Sequence, residues 1–291
     1  MTEATGPAAA RVSALLPAGP ARRGGSTGRF RAAAAAACLL FPLTGWSHAF
    51  WLVPFGPNPE VGQRVALDLR IGPRWPGVTT PRLPGLVADF HVLDAQGRRP
   101  VGGRTNGVPV GHFEARTAGA AIVVMQTNPA SLSLPGPEFQ QYLREEGLGE
   151  VLKLRERLGV ADNAVREDFS RGAKTLVVVG GDADGFDRTV GMPFELVPLT
   201  NPVTYRAGTP FRARLLLGGG PAVGVRVAAL PKNDPENVVE ARTDSHGEVA
   251  LALPRGGFWT LYAVHLQPAP RPPAEWESTW ASLTLALPEP P

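Results

Sequence analysis

Between residues 61 and 71 the chain reads VGQRVALDLRI, which places Val65, Leu67, Leu69 and Ile71 on one side of an extended backbone and Arg64, Asp68 and Arg70 on the other. Alternation with a period of two is the pattern of a half-buried strand. Strand-like runs recur at 86–93, 110–116, 121–127, 174–179, 194–198, 211–217, 225–230, 249–253, 258–267 and 281–287, and turns such as Gly72-Pro73 and Gly102-Gly103 punctuate them. With 34 Gly and 31 Pro in 291 residues, the composition favours many short strands over long helices. The expected fold is therefore all-β, with two β-sandwich-like domains of immunoglobulin or transthyretin type at 48–190 and 191–287. Their junction falls near 182–193. One helical excursion is expected at 137–158, where Phe139, Tyr142, Leu143, Leu148, Val151, Leu152 and Leu154 recur at helical spacing and Gly147 and Gly149 divide the segment in two.

The first 47 residues read as an export leader. A basic stretch ends at Arg31, an apolar run of twelve residues spans 32–43, and Thr44, Gly45 and Ser47 follow. The run is too short to span a bilayer as a helix, so the mature chain is expected in the periplasm or outside the cell, without a transmembrane helix. The leader also explains the basic sequence pI of about 9.4. It holds five of the 29 Lys+Arg and one of the 26 Asp+Glu, so residues 48–291 carry a net charge of −1. No basic stripe remains for a phosphate backbone, which argues against nucleic acid as a partner. The only cysteine, Cys38, lies in the leader, which rules out disulfides and thiolate chemistry in the processed chain.

Several stretches together resemble one family. They are HAFWLVP from His48, FSRGAKTLVVVG from Phe169, DGFDRTVGMPFELVPL from Asp184, the TDSHG turn at 243–247, AVHLQPAP from Ala263 and EWESTWASLTL from Glu275. The pattern is similar to that of DUF4198 and covers 48–287. That resemblance implies a periplasmic accessory protein near nickel or cobalt uptake, with an outer-membrane receptor or an inner-membrane metal transporter as partner. The family motif usually carries Asp after the first His. Here that position is Ala49, which removes one oxygen ligand.

The chemistry that such a role requires points to three residues. Cleavage after Ser47 would leave His48 as an N-terminal residue, whose amine and ring nitrogen can share one copper, nickel or cobalt ion. The resemblance favours this cut, whereas small-x-small spacing favours cleavage before Phe50. His265, in AVHLQPAP, is the expected second ligand, and Glu277 is a further carboxylate or an orienting group. His265 can equally serve as a structural histidine on an apolar face. A copper-dependent enzyme built on His48 and a ligand-free structural module are the alternatives.

Other polar residues read as framework. His91 and His112 stand two positions from Asp89 and Glu114 as solvated pairs, His246 sits in a turn, and 182–187 form a polar turn lacking the distal Glu of a calcium loop. Arg171 and Lys174 read as partners of neighbouring acids, with anion binding as the alternative. Trp51, Trp75, Trp259, Trp276 and Trp280 fit either a core or a carbohydrate platform. No GxSxG, HExxH or phosphate-loop motif is present. Protein exported by its native host should begin at His48, as read by intact mass spectrometry, and a chain beginning at Phe50 would remove the central ligand.

Overall fold

The computed structural model describes residues 48–289; the leader reading of 1–47 lies outside them. The strands in chain order are β1 (Ala49–Pro54), β2 (Arg64–Gly72), β3 (Val78–Thr80), β4 (Val87–Asp94), β5 (Gly97–Pro100), β6 (Gly111–Glu114), β7 (Gly119–Thr127) and β8 (Ala130–Leu134). Helices α1 (Gly136–Glu145) and α2 (Gly149–Arg157) follow, with a short break at the expected glycine. The remainder is β9 (Val165–Val179), β10 (Phe194–Pro198), β11 (Pro210–Leu217), β12 (Gly220–Pro221), β13 (Arg226–Pro231), β14 (Val239–Arg242), β15 (Glu248–Ala252), β16 (Gly257–Pro268) and β17 (Trp276–Leu287). The chain is all-β with one helical hairpin. No helix among the described residues is long and apolar enough to cross a membrane.

The strands form three sheets. A nine-stranded sheet in the order β14-β13-β16-β17-β9-β7-β4-β5, with β8 also on β9, runs through the middle. Two four-stranded sheets pack on it: β1-β2-β3 with β6, and β10-β11-β12 with β15. The central strands are buried on both faces, which replaces alternation with continuous apolar runs. On β7, Ala121, Val123 and Met125 pack with Leu67 and Leu69 of the first small sheet. Ala120, Ile122 and Val124 pack with Phe194 and Phe211 of the second. A third core lies under the hairpin, where Phe139, Tyr142 and Leu143 meet Tyr262, Val264 and Trp280. The five tryptophans named above are 0–8 % exposed, so they belong to the core and form no carbohydrate platform.

One pairing joins the two halves of the sequence. β9 lies parallel to β17, with Glu167 beside Trp276 and Thr175 beside Thr284, while every other ladder is antiparallel. Residues before and after 182–193 thus share one sheet. The connection is fixed by a buried ion pair. Lys174 Nζ donates to Glu195 Oε1 at 2.8 Å, with both side chains at most 2 % exposed. The same carboxylate accepts the backbone N–H groups of Val190, Gly191 and Met192. Burial pulls the Lys174 ammonium below its usual pKa, and the facing carboxylate opposes that shift.

Local chemistry agrees with the sequence at the TDSHG turn. Asp244 Oδ1 accepts the N–H groups of His246 and Glu248, and Gly247 takes φ +71° where a Cβ would lie 2.7 Å from Leu215 O. Lys174→Met leaves a buried carboxylate without its cation and should cost about 3–5 kcal/mol. Urea denaturation checks this, and a loss below about 1 kcal/mol would mean that the backbone donors alone satisfy Glu195.

Candidate binding groove

Helix α1 starts at Pro135-Gly136-Pro137, where proline suits the first turn, and carries Glu138 at its positive end. Phe139, Tyr142 and Leu143, spaced three and four apart, give it one buried face. It ends in a Schellman arrangement, with Leu148 N donating to Leu143 O and Gly147 N donating to Arg144 O. Gly147 has φ +68°, and a Cβ there would lie 2.8 Å from Arg226 Cδ. The hairpin turn therefore sits directly on two arginines of the sheet.

Those arginines organise the site. Arg226 Nε donates to Glu240 Oε2 at 2.7 Å, and its Nη1 lies 3.4 Å from Glu146 Oε2 and from the Tyr262 hydroxyl. Arg242 donates to Gly224 O and Gly147 O, both at 2.8 Å. Between the hairpin and the sheet lies a groove of about 660 Å³. Leu148, Val151 and Leu152 form one wall, and Val225, Val264 and Leu266 the other.

Beneath the groove Trp280 is stacked between Tyr142 (6.0 Å, 17°) and Tyr262 (6.4 Å, 12°). Its indole N–H donates to Ser278 Oγ, which in turn donates to the buried Glu167 carboxylate. Arg171 lies over Phe169 at 4.9 Å and over Phe50 and Trp280 at 5.9 Å. Rings surround it, the neighbouring Glu167 carboxylate acts on it electrostatically without a direct ion pair, and burial lowers its pKa to about 10. Lys174 has the acidic partner expected of it.

Two carboxyls under the hairpin have raised pKa values. Burial pushes Glu146 and Glu167 up to about 7, outweighing Arg226 in the first case and the Ser278 hydrogen bond in the second.

The residues singled out in the sequence are distributed differently. His265 shares a face of β16 with Trp259, Leu261 and Ala263, and its ring is 6.2 Å from that of Phe194. Glu277, on the same face of β17, accepts a 2.9 Å hydrogen bond from Gln267 Nε2. β1, which follows the half-buried His48, lies on the opposite face, where Ser282 Oγ donates to Phe50 O. His265 and Glu277 are thus brought to one face, and β1 lies on the other. Among the described residues no group of three or more His, Cys, Asp or Glu is arranged to hold a metal. His91 is 7 % exposed with Nδ1 3.0 Å from Oδ2 of the partly exposed Asp89, so the pair expected to be solvated is buried on the histidine side, and burial lowers the His91 pKa.

Three packed sheets with a groove beside a helical hairpin define an all-β protein of layered sandwich type. The chain belongs to the DUF4198 family, a domain of unknown function, which it matches over residues 45–267. No curated protein matches the sequence. Among solved structures, the D0-D1 domain of intimin shares 10% identity over 80% of this chain and 96% of that one, with a TM-score of 0.20. Dimeric latent PorU from Porphyromonas gingivalis shares 12% identity over 85% of this chain and 21% of that one, with a TM-score of 0.18. Neither score supports an argument about fold or function.

The raised carboxyls give a pH dependence. Native Glu146 and Glu167 bind their protons more tightly than an ordinary glutamate of pKa 4.5, so their contribution to stability is whole below about pH 4.5 and is lost as pH rises through about 7. The urea midpoint should therefore fall between pH 5 and pH 8, and Glu167→Gln should flatten the profile. A midpoint that rises with pH would contradict this.

Proposed function

We propose that this protein is an exported, non-catalytic binding protein whose ligand occupies the groove between α1–α2 and the β13–β14–β16 region. One observation carries the reading: the groove lies within the roughly 300–1,000 Å³ range of small-molecule sites, with apolar walls and a few fixed polar groups. The buried polar groups around it serve the framework, as with Glu167 on Ser278. Small molecules that raise the melting temperature should lose that effect in Leu152→Glu and should slow hydrogen exchange in 143–153. Hits indifferent to the substitution would place binding elsewhere.

A second reading rests on His265 and Glu277 sharing one face of adjacent strands. In it the protein is accessory to transition-metal uptake and passes nickel, cobalt or copper, as cargo, to a membrane receptor or transporter. His48 could add ligands only from a processed N-terminus. Calorimetric titration of the processed chain with Ni²⁺, Co²⁺ and Cu²⁺ should show binding weakened by His265→Ala and, on the order of tenfold, by Glu277→Gln. Equal affinity in both variants would remove these residues from any metal site.

A further inference from the structure

We infer that the groove takes an anionic amphiphile, a molecule with an apolar body and a carboxylate-like head. The inference rests on the binding reading above and deepens it. The walls require the apolar body: Leu148, Val151 and Leu152 face Val225, Val264 and Leu266 across the groove, and an apolar ligand gains free energy in proportion to the surface it removes from water.

The charges require the anion. Four cations line the groove, Arg144, Lys153, Arg226 and Arg242, against two acids, Glu146 and Glu150. Lys153 is paired with Glu150, and Arg226 with Glu240 and Glu146. Arg144 and Arg242 differ, because Arg144 donates to the neutral Gln140 amide and the exposed Arg242 to the carbonyls of Gly224 and Gly147; these two carbonyls hold the Arg242 guanidinium in place without neutralising it. Glu146 is 4 % exposed, and the desolvation that keeps its proton near neutral pH limits its ability to cancel the arginines. A guanidinium held beside an apolar lining favours a carboxylate over an alcohol or an amine.

Helix α2 forms one side of the trough. Leu148, Val151 and Leu152 are only half-buried, and Leu154 and Leu158 stand exposed. An apolar ligand body would add to the contacts that the first three already make with the core under the hairpin, so binding should slow hydrogen exchange in this helix.

The test compares decanoate, decanol and decylammonium, each below its aggregation concentration, by calorimetry on the full processed chain. Decanoate should bind saturably and on the order of tenfold tighter than decanol, with decylammonium weakest. Arg242→Ala should erase the preference for decanoate over decanol, and Arg242→Lys should keep part of it, which a merely structural role in holding the Gly147 carbonyl would not produce. Leu152→Glu should weaken decanoate on the order of tenfold or more. If that variant misfolds, Lys153→Glu, at an exposed rim position, should still weaken decanoate. Equal affinity for all three probes, or decylammonium binding tightest, would overturn the anionic class while leaving the groove as a binding site. Decanoate binding untouched by every substitution, or no binding by any probe, would overturn the groove reading as well.

Discussion

The parallel pairing of β9 with β17 is the constraint on which the other layers depend. Nine residues of each strand run side by side, from Glu167 beside Trp276 to Thr175 beside Thr284. Each small sheet then finds a face of the same central layer: the β1–β3 sheet covers Ala173 and Val177, and the β10–β12 sheet covers Leu176, Leu283 and Leu285. Lys174 points from β9 into the second interface and meets Glu195 at the start of β10, so the register of the central sheet also sets where the second small sheet begins. A buried pair of this kind gains little net energy relative to apolar packing, but any other register would strand two charges. The pair thus acts on specificity more than on stability.

The same pairing builds the groove. β17 carries Trp280 next to Arg171 of β9, and Tyr142 of α1 stacks on Trp280, which stacks on Tyr262 of β16, so the helix from the first half docks on strands of the second. The groove is the space left where α2 continues past the docked part. Its charged side chains from three separated segments, around residues 146, 226 and 242, are brought together by strand order and by the docking of the hairpin.

The sequence therefore showed the parts more clearly than their assembly. Half-buried strands such as β2 and β11 announce themselves by alternation, the hairpin by its spacing and by Gly147, and the 243–247 turn by Asp244 and Gly247. β1 lacks such a signal because Ala49 to Leu52 are all buried, leaving no polar face to alternate with. β9 was recognised only from Lys174 onward, since Glu167, Arg171 and Lys174 look like surface charges until Ser278, the aromatic rings and Glu195 are seen around them. The parallel pairing has no local signature, because it joins residues more than one hundred positions apart. The groove has no local signature for the same reason: Arg226 and Arg242 lie on separate strands, and nothing nearby in sequence marks Gly147 as their neighbour. His265 and Glu277 share a face as strand periodicity suggests, whereas the position of β1 relative to them is a tertiary property.

The two ends of the nine-stranded sheet carry a different consequence. An open sheet edge is a template on which another chain can add a strand, and wide sheets are exposed to self-association at both ends. Here the edges are β5 and β14, each only four residues long. β5 carries Arg98 and Arg99, tied back to Asp89 and Asp94, and ends at Pro100, which offers no N–H. β14 carries Glu240 and Arg242, both engaged with the chain's own groups. A second copy approaching either end would meet a short strand and would have to displace charges already held in place, which disfavours strand addition there.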